Sequence, residues 1–162
     1  RYLSTNDLSD YSGYPGWVAK DEDPSNLRRD HSAAAGMALP AALLALLAAA
    51  KDIGVARAIV THPVGTANSA QIRDMADLGA YIEHTFLSCM PSRQRTTPSQ
   101  MVASIHEIGA ERCIVTTDFG QWMNPSPAEG MRMAIAELLN AGMSDDEVTT
   151  LVKNNPLGLI DP

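Results

Sequence analysis

The chain has little cysteine: two in 162 residues, Cys89 and Cys113, too few for a disulfide framework. Cys113 falls inside an apolar strand pattern, where a thiol behaves as a small hydrophobe, and a reducing, cytoplasmic setting is expected. A basic run is also missing. Twelve Lys and Arg against nineteen Asp and Glu leave a net charge of −7, and because nucleic-acid affinity rests on clustered cations, no nucleic-acid partner is expected. There is no Gly-rich phosphate loop, no Ser nucleophile elbow and no Cys-x-x-Cys site. The longest apolar stretch, AAAGMALPAALLALLAAA from Ala33 to Ala50, is mostly Ala and is interrupted by Pro40. Its helical part is about a dozen residues, short of the roughly 20 that a membrane span needs, so a buried globular helix is expected and no membrane partner. The chain begins at Arg1 rather than Met, with no charged and then apolar leader after it; the expectation is no signal peptide, and a chain either processed or cut from something longer.

What is present suits one globular domain. An apolar fraction of 45% and a charged fraction of 19% are those of a soluble protein, and the length is enough to bury a core. Residues 1–36 are punctuated by Tyr, Gly, Pro, Ser and Asp, without lasting periodicity; they read as an irregular N-terminal segment with at most a brief strand near Trp17 and Val18. Residues 37–162 read as a parallel α/β domain. Pro40 suits a first helical turn, with Leu39, Leu43, Leu46 and Leu47 on one apolar face until Lys51, Asp52 and Gly54. A strand from Ala58 to Thr61 follows, then a helix from Ser69 to Leu78 that stops at Gly79, and a strand from Tyr81 to His84. Thr97 and Pro98 open a helix that presents Met101, Val102, Ile105 and Ile108 and stops at Gly109, before a strand from Cys113 to Thr117. Ser126 and Pro127 open a further helix that reaches Gly142. The last helix carries a capping box, Ser144 with Glu147, and is expected to end before Pro156. Strands separated by amphipathic helices must lie parallel, joined by right-handed crossovers.

Three successive strands end in THP, EHT and TTD. In parallel α/β folds the loops after the strands gather on one face and build the site there. The stretch GVARAIVTHP, Gly54 to Pro63, nearly repeats in GAERCIVTTDFG, Gly109 to Gly120, with His62 in one copy and Asp118 in the other. Imidazole nitrogen and carboxylate oxygen bind Zn²⁺ and similar ions, which lower the pKa of bound water, and a neighbouring carboxylate can take the water's proton. The plainer alternatives are a satisfied polar His at each strand end and an Asp118 that merely opens a turn. Recurrence of the position in consecutive βα units is the argument for chemistry. His106 lies within a helix beside its apolar face and reads as a surface or packing residue. Glu83 and His84 are adjacent, so in a strand they face opposite sides and one of them points to the site; His84 is the expected one.

The ordered set IVTHP, GAYIEHTF and CIVTTDFGQ, followed by NP and EGMR, resembles the C-terminal half of the amidohydrolase superfamily, and most nearly an uncharacterised group of amidohydrolase-related proteins. The resemblance covers Leu43 to Leu159. It implies a (β/α)8 TIM-type barrel, of which this chain holds only the C-terminal half, and a metal-dependent hydrolase acting on a C–N, C–O or P–O bond of a small-molecule substrate. Asp118 matches the strand-eight Asp that binds metal and shuttles the water's proton, and His62 and His84 match late-strand histidines that bind metal or polarise the scissile bond. The related group places a Gly-His on a strand just before the first long helix; here His31 follows NLRRD, a poor strand, and is a further candidate ligand. The ion implied is Zn²⁺, with Mn²⁺ or Fe²⁺ as alternatives. The strand-one His-x-His pair and the bridging mid-barrel Lys or Glu have no counterpart here.

About four strands' worth of chain cannot close an eight-stranded barrel. Three readings follow: a fragment of a longer hydrolase, a half that pairs in a homo-oligomer or with a partner, or a noncatalytic α/β domain serving in assembly. Around the strand tips, Arg93 and Arg95 in SCMPSRQRTTPSQ suit a carboxylate or phosphate, or simply a solvated loop. Gln121 and Trp122 can line or cover a pocket, or Trp122 can pack on the final helix.

Overall fold

The computed structural model describes residues 40–64, 66–91, 93 and 95–160. His31, Leu39, the strand expected near Trp17 and the boundary near residue 36 lie outside the described residues. Helix α1, residues 40–52, turns Leu47 into the core with Leu43 and Leu44 beside it. Leu46, expected on that face, is 65% exposed: at 100° per residue, 43, 44 and 47 share an arc and 46 falls off its edge. Gly54 takes a φ of 84° and lets Val55 N–H cap the Ala50 carbonyl.

The elements then alternate. Strand β1 is Ile59–Thr61, α2 Ser69–Asp77, β2 Tyr81–Thr85, α3 Pro98–Ile108, β3 Cys113–Thr116 and α4 Pro127–Asn140. The helix starts rest on side chains. Asn68, Thr97 and Ser144 each form a reciprocal capping box with the Gln or Glu three residues on, and Ser126 caps α4 with Pro127 behind it. After α4, α5 (Asp145–Thr149) runs through a π turn, Thr150–Asn154, into α6 (Asn155–Ile160). The helix expected to end before Pro156 therefore continues past it. A proline has no N–H and its ring crowds the carbonyl four residues back; a widened turn just before it relieves both conflicts.

The sheet has the order β1-β2-β3, all parallel. The mixed α/β class with a parallel sheet is as the sequence implied. Consecutive strands are neighbours and the order advances in one direction, so right-handed crossovers bring the connecting helices to one face. Alternation along β1 agrees, while in β3 Ile114 on the opposite face is buried as well. Val60, Ile82, Cys113 and Val115 join the core with Ile72 and Met75 of α2, Met101 and Ile105 of α3, and Leu138 of α4, while Ile59 on the opposite face is 47% exposed. Among the described residues no helix is long and apolar enough to cross a membrane.

Candidate functional site at the strand tips

β1 and β3 do not touch, because β2 lies between them. Even so, the residues just beyond their ends meet: His62 Nε2 lies 3.4 Å from Asp118 Oδ2. Backbone geometry explains how. His62 and Asp118 have φ values of 58° and 54°, and they are the non-glycine residues with positive φ among those described. One left-handed residue after an extended strand swings the chain sharply, and His and Asp are among the side chains that tolerate it. Such conformations persist where the surroundings over-determine them, and they cluster at functional sites.

The third strand joins the pair. Thr85, at the end of β2 and buried, brings its Oγ1 to 3.0 Å from His62 Nδ1. With Nε2–H donating to the Asp118 carboxylate, Nδ1 accepts from the Thr85 hydroxyl. In the other tautomer Nδ1–H donates to the same oxygen and Nε2 is left with a lone pair. Both side chains of the pair are roughly half exposed, 47% for His62 and 43% for Asp118, so solvent reaches them.

Glu83 and His84 go to opposite sides of β2, as alternation requires. The Glu83 carboxylate accepts from Thr61 Oγ1 of β1 and, at 2.8 Å, from Thr116 Oγ1 of β3. His84 turns under the helices, where it is 2% exposed and, among the described residues, neither ring nitrogen has a hydrogen-bond partner. Burial pushes its pKa down to about 4, so the ring is neutral at pH 7. It lines a cleft that reaches His62 and Thr85 and is walled by Ser88, Arg95, Thr96 and Met101. Burial also pushes the Cys113 thiol up to about 12, with Glu111 adding to the effect; no thiolate nucleophile forms there near neutrality.

These donors set whether a divalent ion fits. Two ligands of one tetrahedral Zn²⁺, each about 2.0–2.1 Å from it, are separated by about 3.3 Å, which is close to the His62–Asp118 spacing of 3.4 Å. Thr85 behind His62 matches the outer partner that orients a ligating imidazole. Catalytic zinc takes three protein ligands, and no group of three His, Cys, Asp or Glu able to hold an ion occurs among the described residues. The spacing of His62 and Asp118 is compatible with two ligands of one ion as well as with an ion pair, and His84 does not complete a ligand set.

The other expected residues fall outside the cleft. Gln121 braces its own loop, with Nε2 donating to the Asp118 carbonyl at 3.2 Å and Oε1 accepting from Asn124 at 2.6 Å. Trp122 is 91% exposed rather than packed on the final helix. Arg93 has its backbone N–H on the Met90 carbonyl at 2.9 Å, and it is Arg95 that reaches the cleft. His106 pairs with Glu147 at 3.1 Å, tying α3 to α5 at the surface. Sequence reading missed Thr85, Ser88 and Thr96. Thr85 carries a signal, since it ends the second of the three strands, but nothing in the sequence separates it from other strand threonines. No protein-family model, curated protein or solved structure matches this chain.

Proposed function

We propose that this chain carries the late-strand half of a hydrolase of the amidohydrolase type, a (β/α)8-type half-barrel whose site is built on His62 and Asp118. One observation carries the reading: two equivalent positions after β1 and β3, both left-handed, bring an imidazole and a carboxylate to 3.4 Å across the tip of β2. The one-directional strand order, with helices on one face, supports barrel-type winding over the doubly wound alternative, which reverses direction and covers both faces.

In this reading Asp118 and His62 hold one side of a divalent ion, Zn²⁺ or else Mn²⁺ or Fe²⁺, and further ligands come from outside the described residues. When bound, the ion acidifies water and polarises the bond to be cleaved. The chain's own residues do the rest. Asp118 Oδ2 takes the proton of the attacking water and returns it to the leaving group, as a partly exposed carboxylate beside an imidazole can. Thr85 fixes the ring of His62 from behind, so that Nε2 stays aimed at the reacting centre.

Metal analysis of purified protein, paired with hydrolysis of simple activated esters and amides, tests this. The expected result is about one divalent ion per site, lost in Asp118→Ala together with activity, with hydrolysis reduced by at least the 10²-fold typical of a removed general base. A metal-free protein whose stability ignores both EDTA and that substitution overturns it. The second reading, a noncatalytic α/β domain serving in assembly, then takes its place; it is favoured by Ile53, Val55 and Ile59, which are exposed on and before β1.

A further inference from the structure

His84 stands out among the described residues: a buried imidazole, neutral at pH 7, with neither nitrogen hydrogen-bonded among those residues, facing a cleft instead of sealed packing. Leaving polar atoms dry costs stability, and native chains keep such groups chiefly where a ligand or water completes them. The rest of the cleft narrows the choice. The loop after β2 folds back so that the N–H groups of Arg95 and Thr96 both donate to the Ser88 carbonyl, at 2.9 and 3.2 Å. This fold holds the buried Thr96 hydroxyl on the wall and Arg95 at the rim. Among the described residues the Thr96 hydroxyl has long contacts, 3.4 Å to the Thr97 carbonyl and 3.5 Å to Gln100 Oε1, and can be redirected. Arg95 makes no ion pair among the described residues. Glu83, the acidic residue bordering the cleft, has both oxygens taken up by Thr61 and Thr116. The cleft therefore offers donors, an imidazole N–H, a hydroxyl and a guanidinium, and the carboxylate on its lining, Glu83, is held by two hydroxyls.

We infer that the cleft of His84, Thr96 and Arg95 is a subsite for a carboxylate group of a small substrate. A carboxylate is planar, accepts at both oxygens and matches the guanidinium fork. Because His62 lies at the same cleft, a molecule anchored there presents its other end to the His62–Asp118 pair. The assignment rests on the hydrolase reading for its purpose, but its test does not depend on turnover.

The test is ¹⁵N NMR of the histidine rings in EDTA-treated protein at about pH 7.5 and constant ionic strength, with the His84 signals identified by their loss in His84→Gln. Acetate and succinate are titrated as probes, with acetamide and inorganic phosphate as comparisons. Saturable shifts of the His84 ring with the carboxylates, weakened at least tenfold in Arg95→Gln, are expected; Arg95 is exposed, so that variant keeps the fold. No shift with either carboxylate, an equal shift with acetamide, or a response to phosphate alone each overturns the inference. Carboxylate binding without any hydrolysis leaves it standing while the hydrolase reading falls; hydrolysis without His84 shifts does the reverse.

Discussion

At the scale of single residues, the feature that decides the site is backbone conformation. A left-handed residue costs roughly 1–2 kcal/mol when it carries a Cβ, and glycine escapes that cost. The usual ranking should therefore invert at two places. His62→Gly and Asp118→Gly are each expected to be more stable than the matching Ala variant by about 1 kcal/mol in urea unfolding; Ala equal to or better than Gly would remove the left-handed assignment. The side-chain contact matters less to this comparison, since both variants lose it and the pair is half exposed. The pairing of His62 with Asp118 was legible as a repeated strand end. The sequence did not show that a φ near 55° makes the two meet, because Thr-His-Pro and Thr-Thr-Asp suit extended backbone as well.

Elements were read more fully than the site, and the reasons are local. Asn, Ser, Thr and Pro at helix starts, and Gly at helix stops, act through hydrogen bonds within a few residues, so Thr97, Ser126, Ser144, Gly79 and Gly109 mark the boundaries seen. What escaped was long-range, or set against propensity. Gly130 inside α4 looks like a weak point, yet a Cβ there would meet the Phe119 ring at 2.4 Å. Phe119 is buried beside Phe86, 6.2 Å between centroids, so α4 closes on the residue next to Asp118. Gly130→Ala gains about 1 kcal/mol in helix propensity. The clash should outweigh it, giving a net loss of about 1–2 kcal/mol in chemical denaturation. A stabilised variant would mean that the helix and ring are not in close contact.

For the molecule as a whole, the buried His84 ties stability to pH. Its folded pKa is about 4 against 6.5 in the unfolded chain. Between these values the unfolded state binds the additional proton, so stability rises with pH; the contribution is complete above about 6.5 and is lost as pH falls toward 4. The full swing is about 3 kcal/mol. Urea unfolding measured at steps from pH 7.5 to about 4.5 should show this slope, and His84→Leu should flatten it. A slope of the same size in that variant would assign the effect to other groups. The parallel sheet at this scale was legible, because helix-strand alternation admits little else; whether the winding closes with another half was not, because closure depends on strands beyond those described.

The two hydroxyls of Thr61 and Thr116 that clasp Glu83 span the sheet from one outer strand to the other. This single carboxylate works as a spacer bar between strands that have no bond of their own. The gap across which His62 faces Asp118 is thus gauged by a third side chain, whose own hydrogen bonds go to the two threonines.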